Sequence, residues 1–391
     1  MTRQPVSATD PLLTWRDEFA GIDRVLHFIS HSLGAMPRGA GEMLERYART
    51  WRERGIRSWE EEWFELPTLV GDTLGSIFNA EPGTLSMHEN CTTAQAIALS
   101  GMPFSAPRNR LVCTAEDFPS ELYLYEGLAR RGVDVVRVPA REGRTVAEAD
   151  IVAAIDERTA VVAISHVLFR TSQLLDLAPI IARAHAAGAL VMIDAYQAIG
   201  TVPVDVQALD VDLLTGGSVK WLCGGPGAGY LYVNSRVRAT MEPAFTGWMA
   251  HEHPFAFDSS PVRRHEGARR FWTGTPGIPS FAAAVSGYRI VAEIGVDAIR
   301  AKSLRQTERI MGWADEFEMH VGSPREAAAR GGTVVLDVPN AEAVCQALLA
   351  QDLLLDFRPG VGLRLAPHFY TRDEEVDRAM KLVREAVQRA N

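Results

Sequence analysis

Lysine is nearly missing from this chain of 391 residues; only Lys220, Lys302 and Lys381 occur, and arginine carries the rest of the positive charge. Long apolar runs are missing too. No window approaches the roughly 20 consecutive apolar residues of a membrane-spanning helix, and the start, Met-Thr-Arg-Gln-Pro-Val-Ser, has no apolar stretch of signal-peptide type. Excess positive charge is absent: the net charge is −9, and no basic stripe is available to neutralise phosphates, which excludes a dedicated nucleic-acid binder. The four cysteines, Cys91, Cys113, Cys223 and Cys345, are scattered without a CxxC pair and read as reduced thiols. There is no internal repeat and no low-complexity segment. These absences leave a cytoplasmic protein with no membrane or nucleic-acid partner as the expectation.

What is present is an alternation of short apolar, β-branched runs with amphipathic stretches. Candidate strands are Thr84–His88, Arg110–Thr114, Val133–Val138, Ala160–Ser165, Leu190–Asp194, Asp212–Gly216 and Ala228–Val233. Helical patterns lie between them at Ala94–Ser100, Ser120–Arg131, Ala149–Ile155 and Leu177–Ala187. Such alternation implies right-handed crossovers and an α/β fold, a mostly parallel sheet sandwiched by helices. The tail differs: one long helical stretch from Phe281 to about Phe317, then strands near Gly332–Val338 and Gly362–Ala366, which suggest a smaller α+β unit. The expected division is an N-terminal segment, 1–58, packing on the small domain through a helix around Gly41–Arg54, a large domain over 59–290, and a small domain over 291–391.

Lys302 and Lys381 lie in charge-rich helical stretches where arginine would serve as well. Lys220 does not: it sits among small and apolar residues in Asp212-Leu-Leu-Thr-Gly-Gly-Ser-Val-Lys-Trp-Leu-Cys-Gly-Gly. Arginine cannot lose its proton, a desolvated lysine can, and only a neutral primary amine forms a Schiff base. Lys220 is therefore a candidate covalent anchor for a carbonyl cofactor. Ligands of open α/β sheets bind beyond the carboxyl ends of the strands, so the residues just after each strand come next. Asp194 closes the apolar run Ala189-Leu-Val-Met-Ile-Asp, where it either caps the next helix or meets a buried cation such as a protonated pyridine nitrogen. Thr92 and Thr93 open a helix after the first strand, as simple caps or as an anion site for a phosphate. Phe118 is either core or a face for a flat ring; Ser165 is either a cap or a donor to a ring oxygen. Gly224-Gly-Pro-Gly-Ala-Gly runs straight into a strand and reads as a tight turn rather than a phosphate loop. His251-Glu-His253 has a conceivable metal spacing without a third ligand, and no metal is expected.

Read together, these segments resemble the fold type I pyridoxal-phosphate enzymes of the class V aminotransferase group, and most of all the kynureninases. The resemblance runs from Leu26-His-Phe-Ile-Ser-His-Ser-Leu-Gly through Phe118-Pro-Ser-Glu, Asp194-Ala-Tyr-Gln-Ala-Ile-Gly, Ser218-Val-Lys-Trp and Gly247-Trp-Met-Ala-His-Glu. It ends with Phe271-Trp-Thr-Gly-Thr-Pro-Gly-Ile and Leu363-Arg-Leu-Ala-Pro-His-Phe-Tyr. It implies pyridoxal 5'-phosphate as cofactor, with Lys220 as its anchor and proton carrier and Asp194 facing its ring nitrogen. Phe118 would stack on the ring, Thr92 and Thr93 would bind the phosphate, and Ser165, Gln197 and Ser218 would lie at the cofactor. Arg364 would take the substrate carboxylate, a task suited to a bidentate guanidinium. Trp248 and Thr275 match positions that reach the phosphate from a second subunit, which implies a homodimer with composite sites.

The chain also departs from the kynureninase pattern. Gln197 stands for a histidine, Val219 for a tyrosine before the lysine, Thr275 for an asparagine, His31 for an asparagine and Glu121 for an aspartate. Gln197 and the Gly-Thr-Pro around Thr275 look like the cysteine desulfurase branch, yet no cysteine stands beside the Arg364 segment. The expected activity is kynureninase-like cleavage at Cβ–Cγ or elimination on a small α-amino acid. The alternative is a class V aminotransferase, an epimerase or a C–S lyase. A non-catalytic protein on the same fold would have no need for an amine at position 220.

Overall fold

The computed structural model describes residues 10–390, so the first nine residues of the expected N-terminal segment lie outside the described residues. After two short 3-10 turns the chain forms strand β1 (Leu26–His27), helix α1 (Arg38–Arg54) and helix α2 (Leu66–Gly75). The central stretch then alternates: β2 (Leu85–His88), α3 (Cys91–Ser100), β3 (Arg110–Thr114), α4 (Pro119–Ala129), β4 (Asp134–Val138), α5 (Glu148–Ala154), β5 (Thr159–Ser165), α6 (Leu177–Ala186) and β6 (Leu190–Asp194). Strands β7 (Leu213–Gly217) and β8 (Gly229–Val233) and the one-turn helix α7 (Ser235–Arg238) complete it.

The seven strands form one sheet in the order β2-β8-β7-β6-β5-β3-β4. Pairs β4/β3, β3/β5, β5/β6 and β6/β7 are parallel, whereas β8 runs antiparallel to both β7 and β2. The one reversed strand follows from its connection. The turn 218–228 is too short for a crossover, so β8 returns beside β7 as a hairpin partner. Because β8 opposes both neighbours, β2 points the same way as the parallel strands, and their carboxyl ends share one edge. The chain leaves β3 outward to β4 and resumes with β5 on the other side of β3. That reversal opens the crevice where α/β sheets bind ligands.

Strand alternation assigns the two faces of the sheet. Val112, Val162, Ile164, Val191, Ile193, Leu214 and Tyr230 point into the cluster shared with α2, α6 and the helix over Ile278–Ile294. Leu111, Cys113, Val161, Ala163, Met192, Leu213 and Leu231 point into the cluster beneath α3 and α4. With both faces covered, the strands read as continuous apolar runs, which is why they were legible in the sequence.

The tail comprises α8 (Ile278–Ile294), α9 (Val296–Glu316), β9 (His320–Val321), β10 (Val334–Asp337), α10 (Ala341–Leu349), β11 (Leu353–Leu354), β12 (Asp356–Arg358), β13 (Gly362–Leu365) and α11 (Asp373–Ala390). The single long helix expected over 281–317 is two helices, because Gly295 adopts φ +82°, a left-handed conformation that ends α8 and opens α9. Residue Ile290, the expected end of the large domain, lies inside α8. Strands β12-β13-β10-β9 form an antiparallel sheet over a core of Val334, Leu336, Leu363, Leu365, Val376 and Met380. Leu26 and Phe28 enter the same core, and β1 pairs in parallel with β11. The N-terminal segment meets the tail at several places: β1 pairs with β11, Arg16 reaches the Tyr370 carbonyl and Glu375, and α1 packs along α8.

One lysine assignment is corrected. Lys302 on α9 is buried, with Nζ 2.5 Å from the Phe369 carbonyl and 2.9 Å from Asp10. This lysine is a buried tie to the Phe369 carbonyl and Asp10 rather than a surface charge.

Candidate active site

The carboxyl edge of the sheet opens into a cavity of about 540 Å³. The turn after β2 brings Asn90, Cys91, Thr92 and Thr93; the turn after β3 brings Phe118, Ser120 and Glu121; β5 brings Ser165, Val167 and Phe169; β6 brings Asp194, Tyr196 and Gln197; and β7 brings Lys220. Of the residues expected at the site, Thr92, Thr93, Phe118, Ser165, Asp194, Gln197 and Lys220 line this one cavity.

The local geometry gives several of these residues their partners. Asn90 caps α3, accepting from Thr93 N at 2.9 Å, which leaves the hydroxyls of Thr92 and Thr93 at the cavity wall beside a helix N-terminus. Phe118 is no core residue: it is 41% exposed and braced edge-on by Phe169, with centroids 5.1 Å apart. Ser165 is tied by its backbone N–H to Asp117 Oδ1 at 2.7 Å, and Asp117 also accepts from Thr114 N, so this buried acid locks the ends of β3 and β5 together. Burial pushes the Asp117 carboxyl up to about 6, against those hydrogen bonds.

The floor of the cavity is acidic. Asp194 is buried, and its Oδ1 accepts from Tyr196 N at 2.8 Å. Single ligand atoms of Cys91, Glu121 and Asp194 lie within 4.8 Å of one another. Two carboxyls that close cannot both carry charge in a dry site. Burial and then the Asp194 charge push Glu121 well above the usual carboxylate range, so Glu121 holds the proton. Burial also raises Asp194, but Glu121 and the Lys220 charge act against it. Gln95 supports the acid by donating to Glu121 Oε1 at 2.9 Å and to Thr215 Oγ1 at 3.1 Å, and Tyr125 donates to Gln95 Oε1 at 2.9 Å. Glu121 Oε2 is buried without a hydrogen-bond partner. The buried Asp194 carboxylate beside it calls for a cationic N–H, and the protonated nitrogen of a pyridine ring meets that need.

Lys220 faces this floor. Burial lowers its amine to about 8, with the Asp194 charge opposing the shift, so an appreciable fraction is neutral and nucleophilic near pH 7. An aromatic face, a helix N-terminus with two hydroxyls, a buried acid and a lysine of lowered basicity together fit pyridoxal phosphate.

Four expected residues lie off the cavity wall. Ser218 bonds the Ala228 carbonyl at 2.5 Å and the Tyr288 hydroxyl, so it fastens the lysine-bearing turn to β8 and α8. Trp248 and Thr275 are exposed, and Trp248 stacks on Phe257 at 5.8 Å. Arg364 is buried and held side-on by Asp356, Nε to Oδ1 at 2.8 Å and Nη2 to Oδ2 at 2.7 Å, while Nη1 donates to the Phe169 carbonyl at 2.6 Å. Three of its five N–H groups are committed, which leaves the two on its terminal edge for a carboxylate. His31 completes this network, with Nε2 3.0 Å from Asp356 Oδ1. Gln197 is partly engaged, donating to the His31 carbonyl at 3.0 Å and accepting from Trp221 Nε1 at 3.1 Å.

Sequence reasoning passed over Gln95, Asp117, Tyr196 and Asp356. An apolar helix containing one glutamine, and an acid directly before Phe118, were the available signals. Neither points to a site until the carboxyl ends of β2, β3 and β6 are brought to one edge of the sheet.

A seven-stranded sheet of this topology, with a reactive lysine and a buried acid at its carboxyl edge, defines the fold type I class of pyridoxal-phosphate enzymes. The sequence comparisons agree. Residues 70–355 match the model of the aminotransferase class-V family, and the chain belongs to that family as a pyridoxal-phosphate-dependent enzyme. It is 31% identical over 395 residues to the kynureninase of Bacillus cereus (strain ATCC 10987 / NRS 248), with 96% of this chain and 91% of the relative covered. It is 30% identical to the kynureninase of Geobacillus thermodenitrificans (strain NG80-2), covering 97% and 92%. Among solved structures, the apo cysteine desulfurase of Thermococcus onnurineus NA1 superimposes with a TM-score of 0.86 at 20% identity, over 98% of this chain and all of that one. The cystine C–S lyase C-DES, in complex with cysteine persulfide, gives 0.85 at 21% identity, covering 94% and 99%. At such identities these structures speak for the fold alone.

Proposed function

We propose that the chain cleaves or eliminates a side-chain group of an α-amino acid in the kynureninase manner, with Lys220 as cofactor anchor. The observation that carries this reading is the amine of Lys220, desolvated and set against the buried Asp194 in the one cavity that also holds Phe118, Thr92 and Thr93. Bound pyridoxal phosphate supplies an electron sink for the α-carbon of the amino acid. The remaining work belongs to the chain. Asp194, kept ionised by the proton on Glu121, holds the ring nitrogen in its protonated form. Phe118 would cover one face of the ring, and Ser165 and Gln197, which line the same cavity, would serve its oxygen. Thr92 and Thr93 hold the phosphate, joined by Trp248 and Thr275 from a second copy of the chain, and Ser218 keeps the lysine turn in place. Arg364 receives the substrate carboxylate on its free edge, which fixes the α-carbon near Lys220. The lysine amine then takes and returns the α-proton. Four buried free cysteines suit a reducing cytoplasm.

Incubation of the purified protein with kynurenine and 3-hydroxykynurenine is expected to release alanine and the matching anthranilate. Absence of both products under saturating cofactor would rule out these substrates. Gln197, Val219 and Thr275, where the chain leaves the kynureninase pattern, favour one further trial. Release of pyruvate or sulfide from cysteine or cystine would move the assignment to a C–S lyase.

A further inference from the structure

The side chain of Lys220 has an aromatic seat. Tyr196 follows Asp194 by two residues, and its own N–H is fixed by Asp194 Oδ1 at 2.8 Å. Its ring lies under the lysine amine, with Nζ 4.0 Å from the centroid, against 5.6 Å for Phe118 on the other side. The ring reaches this place because β7 ends in glycine: a Cβ on Gly217 would run into the Tyr196 hydroxyl. That hydroxyl faces the backbone N–H of Val219, the residue before the lysine. The Val219 carbonyl in turn accepts from Gly34 N at 2.8 Å, and the Lys220 carbonyl from Cys223 N at 3.0 Å. The main chain around Lys220 is thus pinned on both sides. Among the described residues, no carboxylate lies within ion-pair distance of Nζ.

We propose that Tyr196 is the positioning residue for Lys220, its ring holding the free amine over the cavity and its hydroxyl fixing the peptide that carries it. This rests on the reading of Lys220 as the reactive amine of the site. The negative face of the ring attracts the ammonium form more than the neutral amine. Whenever the amine is not covalently engaged, the ring keeps it in place and favours its holding a proton. The other charged or titratable groups around the amine are Asp194 on β6, Glu121 on α4, Cys91 on α3, Arg364 on β13 and His31 after β1.

The scarcity of lysine makes the test direct. In the full-length protein freed of cofactor and labelled with [13Cε]lysine, three side-chain signals are expected, and the Lys220→Arg variant assigns the one of interest. The titration midpoint of Lys220 is followed in the wild type, in Tyr196→Phe, and with mono-, di- and trifluorinated phenylalanine at position 196. Tyr196→Phe is expected to keep the midpoint while the Val219 amide loses protection from hydrogen exchange. The fluorinated series, nearly constant in volume, is expected to lower the midpoint step by step, by about 0.5–1.5 pH units in total. A flat series would overturn the ring's role, and an unchanged Val219 amide in Tyr196→Phe would overturn the hydroxyl's. A chain that failed to take up cofactor would still give the lysine titration, so this inference and the proposed function fail separately.

Discussion

At the scale of single residues, the site is organised by burial acting on charge. Lys220 was visible in the sequence because lysine is so rare and because no ionic partner stands near it in the chain. Asp194 was visible as an acid closing an apolar run. Their consequence was not, since it depends on Glu121, an acid from another strand–helix unit that takes the proton and leaves Asp194 charged. Arg364 was read as a free fork, yet it is half committed to Asp356, with His31 behind it. Burial and the Arg364 charge hold the His31 imidazole at about 3, below its ordinary 6.5, so it is neutral in the fold and protonated in the unfolded chain between those values. Its contribution to stability is therefore complete above pH 6.5 and declines as the pH falls toward 3. Urea unfolding of the wild type and His31→Asn at pH 7 and pH 5 is expected to show the wild type losing about 2 kcal/mol relative to the variant. Equal losses in both would mean that His31 is not held neutral.

At the scale of elements, strands buried on both faces were legible and connections were not. Arg110–Thr114 and Leu190–Asp194 are observed with the bounds the sequence predicts. Hydrophobic pattern carries neither the orientation of β8, set by its short connection to β7, nor the break at Gly295, set by one backbone position. Close packing against the lysine turn is equally invisible in one dimension. A Cβ on Gly287 of α8 would strike the Leu222 and Cys223 backbone, whereas Gly312 of α9 has nothing within 4 Å. Gly287→Ala is expected to cost roughly 1–3 kcal/mol by overpacking and to loosen the turn after Lys220. Gly312→Ala, in an exposed helix interior, is expected to add roughly 0.5–1 kcal/mol. Denaturation midpoints of the two variants check the pair, and equal shifts would contradict the packing of α8 on that turn.

At the scale of the whole molecule, the cavity is built from five strand ends, while two residues expected at the cofactor, Trp248 and Thr275, are exposed and do not line it. Trp248, Phe255 and Phe257 form an aromatic cluster on the surface, and Thr275 is exposed nearby in sequence. We propose that a second copy of the chain covers this face and that each site draws Trp248 and Thr275 from its partner. Mixing inactive Lys220→Ala protein with inactive Trp248→Ala protein under exchanging conditions is then expected to restore about a quarter of the wild-type rate, since half of the dimers would hold one intact site. No restoration would place both residues in the same protomer's site. The family was legible because its motifs recur in order along nearly the whole chain, while the substrate was not, because Gln197, Val219, His31 and Thr275 depart from the kynureninase pattern. The most direct test of the account is the visible absorption spectrum of the purified protein across pH, in wild type and in Lys220→Ala with its fold verified by circular dichroism. The account predicts a pH-dependent band from lysine-bound pyridoxal phosphate in the wild type and its loss in Lys220→Ala. A wild type that stays colourless after reconstitution, or a variant that keeps the same band, would contradict it.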